Sequence, residues 1–294
     1  MGSIIGPGII GPLVTNLLNE FHPFRWLTTK QEEGVSSEAA RKAQVNLEAY
    51  RELCKRQLER FSAEMGQIDE KMDRLKARLQ DPAFAVFLGE TAYEAVQTDN
   101  TAKHAILSRL VIERLSLDTE DFAALILPDA CKTIRSLTGD QLRFLAIITW
   151  VWSGRDSGMG ASFNGLFRNS LPLVLSGLAD IMPKNELRGA DISHLAATSC
   201  VTVQGYSHPV ADCVNQLRIS MAHAGYGDEA VPESQAQSIR AVATELRRVL
   251  GGYDAQSRAA ASLAPTTKGI VLGVCTFDEL VGGKTELSRI LEVA

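Results

Sequence analysis

At 294 residues, with 45% hydrophobic and 22% charged side chains, the chain has ordinary globular composition and enough length for one large core or two smaller ones, which excludes a mostly disordered protein. The formal net charge of −5 argues against a broadly basic surface, because affinity for nucleic-acid phosphates comes from clustered Lys and Arg. The five cysteines, Cys54, Cys131, Cys200, Cys213 and Cys275, are odd in number, scattered and without a C-x-x-C pair, and they read as free thiols of a reducing cytoplasm.

Residues 1–34 form the first segment. They begin "MGSIIGPGIIGPLVTNLL", which is apolar but broken by Pro7 and Pro12 and lacks the basic stretch of a secretory signal. A membrane-spanning helix needs about 20 apolar residues, more than this run supplies. Met1-Gly2 brings myristoylation to mind, yet Gly6 stands where the acceptor pattern wants Ser or Thr. The segment reads either as a lead-in packed on the fold or as a stretch lying against a membrane surface.

Residues 35–81 read as one long helix. Ser36 or Ser37 can cap its start, and Asp81-Pro82 ends it, since a residue before proline is pushed out of the helical region. Leu47, Cys54, Phe61, Ile68 and Leu75 recur every seven residues, and Leu58, Met65, Met72 and Leu79 follow the last four of these by four. That is a heptad seam, with Arg51 its one misfit. The helix would be on the order of 65 Å long. A parallel dimer would set Glu64 against Asp69 and Lys71 against Lys76, like against like, so the seam favours an antiparallel partner or the chain's own helices.

Residues 82–153 read as a central helical bundle. Ala92 and Val96, then Ile106, Leu107, Leu110, Val111 and Leu115, give one apolar face each to two helices separated by "TDNT" at 98–101. A third helix spans 118–137, with Asp118 or Thr119 at its start. Thr138-x-x-Gln141 is a capping box, so "RFLAIITWVWSG" at 143–154 is a helix rather than a strand. It is apolar nearly all round and predicts the central buried helix, with Trp150 and Trp152 as core or interface anchors.

The Gly/Ser-rich "SGRDSGMGASFNG", 153–165, reads as the boundary to a C-terminal helical lobe, residues 154–294. Helices are expected at 170–182, from Asp191, from Pro209 and over 234–250, the last stopped by Gly251-Gly252. "SCVTVQ" at 199–204 is the one β-flavoured stretch.

Little chemistry can be assigned. "GGKTELSRIL" suggests a phosphate loop, but Asp278 occupies the position where that loop needs its first glycine. Gly158, Gly160 and Gly165 miss the dinucleotide-binding spacing and read as a hinge. His194, Cys200, His208, Cys213 and His223 match neither a zinc finger nor H-E-x-x-H, and packing roles outweigh a metal site or a Cys–His nucleophile. No catalytic, cofactor-binding or metal residue is assigned, and no cofactor is expected.

The order of "DPAFAVFLGETAYEAVQTDNTAKHAILSRLVIERL", "SLTGDQLRFLAII" and a late "PTTKGIVLGVC" resembles a family of uncharacterised bacterial all-helical proteins, similar in layout to the abortive infection alpha proteins. The likeness covers most of 82–153. Thr266-x-x-Gly269 resembles the helix start of winged-helix-like modules, with Ala264-Pro265 in place of the usual residues before the threonine. The resemblance implies an α-helical protein, soluble or membrane-peripheral, that serves phage defence, and it brings no catalytic residues.

The expectation is therefore an all-α protein: a long coiled-coil-like helix, a helical bundle and a small C-terminal lobe. It is expected to be a cytoplasmic, non-enzymatic interaction or oligomerisation protein. The partner, another protein or a second copy, is expected to meet the seam of Leu47, Cys54, Leu58, Phe61, Met65, Ile68, Met72, Leu75 and Leu79. Two alternatives stand beside it: a membrane-acting effector using residues 3–18, and a DNA-binding regulator using the C-terminal lobe, although the acidic balance disfavours nucleic acid.

Overall fold

The computed structural model describes residues 37–65, 74–75, 77–117, 122–153, 173–174, 176–204, 241, 244–245, 248–249, 262–283, 285 and 287. The fold is all-α, as the sequence predicts, and the chain divides into two compact units, Met1–Ser136 and Leu137–Ala294. The apolar 1–34 segment, the glycines at 158–165 and the helix expected from Pro209 lie outside the described residues.

Among the described residues the principal helices of the first unit are α1 (Ser37–Met65), α2 (Pro82–Val96), α3 (Thr101–Ser116) and α4 (Phe122–Ile134). α3 packs against the other three, and α2 also packs against α1 and α4. Each start has a local cause. Asp81 accepts the Ala83 N–H at 2.9 Å, and Pro82 at the first helical position gives up an amide that would have had no partner. Asn100 accepts from Ala102 and Lys103 at the head of α3.

The turn between α2 and α3 is closed from inside. His104 is 1% exposed, and its Nε2 lies 2.9 Å from the Ala95 carbonyl and 2.8 Å from that of Thr98. Both partners are acceptors, so Nε2 carries the proton and donates to one carbonyl at the end of α2 and one in the turn that follows it. α4 ends three residues short of the expected 137 and holds Pro128 within it; its expected start at 118–121 lies outside the described residues.

The second unit is built on α5 (Gly139–Ser153) and α8 (Thr267–Val281), with two short helices, α6 (Leu178–Ile181) and α7 (Gly189–Ala197), and a two-stranded antiparallel ribbon. The ribbon pairs β1 (Val201–Gln204) with β2 (Ser262–Pro265), Val201 opposite Pro265. Only the first strand is suggested by its sequence, since "SLAP" lacks strand character. The capping box at the start of α5 forms as expected: Gln141 N–H donates to Thr138 Oγ1 at 3.1 Å, and Thr138 N–H donates to Gln141 Oε1 at 2.9 Å.

Leu142 and every residue from Phe144 to Trp150 are buried, so α5 is the central helix of its unit. The sequence reading groups it with the bundle before it; in the structure its packing against α8 places it in the second unit. Gly269 and Gly273 explain how close that unit packs. A Cβ at Gly269 would lie 1.9 Å from the Cys200 carbonyl oxygen, and one at Gly273 would lie 2.2 Å from Thr149 Oγ1 and 2.7 Å from the Leu145 carbonyl oxygen. Asp191, expected to cap α7, sits at its third position instead and accepts the Arg188 N–H at 2.9 Å.

Candidate functional site

Most of the described seam residues pack inward. Leu47, Cys54, Leu58, Leu75 and Leu79 are each at most 2% exposed, and Phe61 is partly exposed. Ile68, Met72 and the Met65 side chain lie outside the described residues. α1 packs its stripe on α3 and α2, so Leu47, Cys54 and Leu58 are core residues of this chain. The Arg51 misfit disappears with them. The buried stripe runs Ala40, Ala43, Leu47, Tyr50, Cys54 and Leu58, a three-and-four spacing that puts Tyr50, 0% exposed, where strict sevens would put Arg51.

Tyr50 brings a polar group into this core, and the core answers it. Its O–H donates to Thr91 Oγ1 at 2.6 Å, and the Thr91 hydroxyl donates onward to the Leu88 carbonyl at 2.8 Å. Asn46 Nδ2 donates to the Val96 carbonyl at 3.2 Å. Burial pushes the Cys54 thiol up to about 12, and burial with the nearby Glu94 and Glu90 carboxylates pushes Cys131 up as well. Thiols held protonated in this way are poor nucleophiles. Among the described residues no group of three or more His, Cys, Asp or Glu is placed to hold a metal ion; His208, Cys213 and His223 lie outside them.

The outer side of the same unit has a different character. Val86 is 63% exposed, Tyr93 44%, Phe122 59% and Leu125 68%, all on α2 or α4. Between these helices runs a groove of about 670 Å³ lined by Ala85, Val86, Gly89, Glu90, Tyr93, Glu94, Lys132 and Arg135. Lys132 Nζ pairs with Glu90 Oε1 at 3.1 Å, and Arg135 Nε lies 3.6 Å from Glu94 Oε2 while its NH1 donates to Gln97 at 2.7 Å. The pairs rise together along both helices, so α2 and α4 run parallel, with the acids on α2 and the bases on α4.

Glu94 is the unusual member. It is 5% exposed, and its Oε2 is buried without a hydrogen-bond partner, 3.6 Å being ion-pair contact beyond hydrogen-bond range. Burial, the largest cause, holds the carboxyl above its ordinary value of 4.5 against the pull of Arg135 and Lys132. Glu90 on the next turn adds to the rise. Lys132 is raised by its hydrogen bond to Glu90.

In the second unit the phosphate-loop resemblance has a structural counterpart. Asp278 is 4% exposed, and its two carboxylate oxygens accept the Thr285 N–H and hydroxyl, each at 2.8 Å. The amide that a phosphate would need is already engaged. Thr266 caps α8 by accepting the Gly269 N–H at 3.1 Å, as the T-x-x-G pattern suggests. Every residue from Gly269 to Asp278 is buried, however, which leaves this stretch of α8 no outward side chains to lay in a DNA groove.

These features define an all-α protein in which four of the six large hydrophobic side chains left exposed among the described residues lie on one helix pair. A family model described only by the suffix "-like" matches residues 27–250, about three quarters of the chain, and the chain belongs to that family. No curated protein and no solved structure matches it.

None of the groove residues is singled out by the sequence reading, yet a signal exists. Once Phe84, Phe87, Leu88 and Ala92 fix the inward side of α2, Val86 and Tyr93 fall on the other side. Phe122 and Leu125 stand in the same relation to Ala124 and Leu127 on α4. Apolar residues off the core face are the mark of a binding surface when they cluster.

Proposed function

We propose that this chain is a non-enzymatic helical interaction protein that binds through the outer face of α2 and α4. The observation supporting this reading is the clustering of Val86, Tyr93, Phe122 and Leu125 on these helices, beside a groove whose floor holds a buried carboxylate oxygen with no donor. Apolar side chains in water gain roughly 25 cal/mol for each Å² that a partner covers. The heptad stripe of α1 contributes differently in this reading: it holds the bundle rigid behind the groove.

The finer proposal is that binding serves phage defence, as a sensor or adaptor. It rests on the layout of residues 82–153, the stretch that carries both α2 and the resemblance to abortive infection proteins. The test is paired. Cells carrying the wild-type chain, Leu125→Asp or neither are challenged with phage, and the three purified samples are compared for association with themselves and with proteins of the host lysate. The expected result is that Leu125→Asp loses both protection and association while keeping its helical circular dichroism. Association and protection unchanged in that variant would overturn the reading, and so would turnover of a small molecule by the purified chain.

A further inference from the structure

We infer that the occupant of this face is a second copy of the same chain, docked about a two-fold axis that runs parallel to α2 and α4. The inference rests on the reading of the face as a binding surface and adds the identity of the partner. In a two-fold interface the same patch meets itself, so a patch of one charge sign repels its copy and a patch of segregated signs can attract it.

Along the groove the charges are segregated in that way, although Asp129 puts an acid on the exposed side of α4 as well. Glu90 and Glu94 stand on α2, Lys132 and Arg135 on α4, and each acid is level with a base because the two ion pairs join them across the groove. A two-fold axis perpendicular to the helices and lying in the interface would set α2 on α2 and acid on acid. An axis parallel to the helices instead sets α2 of each copy on α4 of the other at the same height. Each acid row then faces a base row without any shift along the helix.

The apolar residues fit the same operation. On α4, Phe122, Leu125, Asp129 and Lys132 follow one another at three- and four-residue steps along the exposed side, so apolar contact and charge lie on one stripe. On α2, Val86, Glu90 and Tyr93 do the same. Five of the nine predicted seam residues are occupied inside the chain, so self-association through this face replaces the seam dimer instead of adding to it.

Sedimentation equilibrium of the full chain, with Lys132→Glu, Glu90→Lys and their equimolar mixture, tests this. Wild type is expected to dimerise. Each charge swap is expected to weaken self-association by about ten-fold or more, because like charges now face each other. The mixture is expected to recover association as a heterodimer. Leu125→Asp, at a position 68% exposed whose loss leaves the core intact, serves as the independent variant and is expected to be monomeric.

Wild type that stays monomeric at about 100 μM, a concentration at which even a weak specific dimer is populated, would overturn the inference. So would a dimer indifferent to both swaps and to Leu125→Asp, or a mixture that associates no better than its components. If wild type is monomeric but retains another protein that Leu125→Asp releases, self-docking fails and the interaction reading stands. If neither association is found, both fail.

Discussion

The two units of this chain solve the packing of helices in opposite ways. In the second, α8 approaches its neighbours with glycine: Gly269 lies against the backbone at Cys200, and Gly273 against Thr149 and the backbone at Leu145. In the first, α1, α2 and α3 meet through large side chains such as Leu47, Tyr50, Phe84, Leu88 and Leu107, and a hydroxyl chain threads the contact. Close backbone packing tolerates no added atom, whereas side-chain packing tolerates loss at a graded cost. Outward apolar surface divides the same way. Among the described large hydrophobic residues left exposed, Val45, Val86, Tyr93, Phe122 and Leu125 belong to the first unit and only Leu173 to the second.

The sharpest way to break this contrast is at Gly269. Gly269→Ala would force a methyl group to within 1.9 Å of a carbonyl oxygen that belongs to backbone and cannot rotate away. The expected destabilisation is about 3 kcal/mol or more, the upper range for overpacking, read from the denaturant midpoint. A loss below about 1 kcal/mol would mean that the two backbones are not in contact. Gly273→Ala is expected to be severe as well and to be partly relieved by Thr149→Ala, since that change removes the Thr149 hydroxyl, the nearest obstacle at 2.2 Å.

Leu47→Ala removes side-chain volume from the first unit and is expected to cost about 2–5 kcal/mol, the range for cavities that collapse to differing degrees. Tyr50→Phe is milder, about 1 kcal/mol, because Thr91 loses a donor but still bonds to the Leu88 carbonyl. A larger effect at Tyr50 than at Leu47 would show that the hydroxyl chain, rather than apolar contact, dominates that core.

The smallest effect is at Glu94. Its folded-state carboxyl titrates above the ordinary 4.5, so the native chain binds the proton over a range where the unfolded chain has released it. The stability it contributes is complete below 4.5 and is lost as pH rises through the folded value. Glu94→Gln lacks this group. The stability of wild type relative to the variant is therefore expected to fall as pH climbs from about 4.5, read from paired urea midpoints. A difference that stays flat or rises with pH would contradict the burial of this carboxylate.

The pattern of the sequence contains the helices but not all of their neighbours. The capping box at Thr138 and Gln141 and the cap at Thr266 are local and form as their spacing predicts. The heptad of α1 is equally legible, but an apolar stripe has the same sevenfold period whether it faces a second chain or the helices of its own. That ambiguity is resolved by Tyr50, which the strict heptad passes over in favour of Arg51. The groove required knowledge of which helices adjoin: Glu90 and Lys132 are 42 positions apart, and nothing in either local pattern joins them. β2 escaped for a similar reason, since Ser262–Pro265 becomes a strand by pairing with Val201–Gln204 rather than by its own propensity.

One measurement separates an internal stripe from an external face most directly: sedimentation of Leu58→Asp and Leu125→Asp side by side, with circular dichroism on the same samples. Leu58 is 2% exposed and Leu125 68%, so the first substitution buries a charge and the second does not. The expected result is that Leu58→Asp loses helical structure, while Leu125→Asp remains folded and monomeric. A folded, dissociated Leu58→Asp beside an unchanged dimer of Leu125→Asp would contradict it, and would return the binding surface to the heptad stripe.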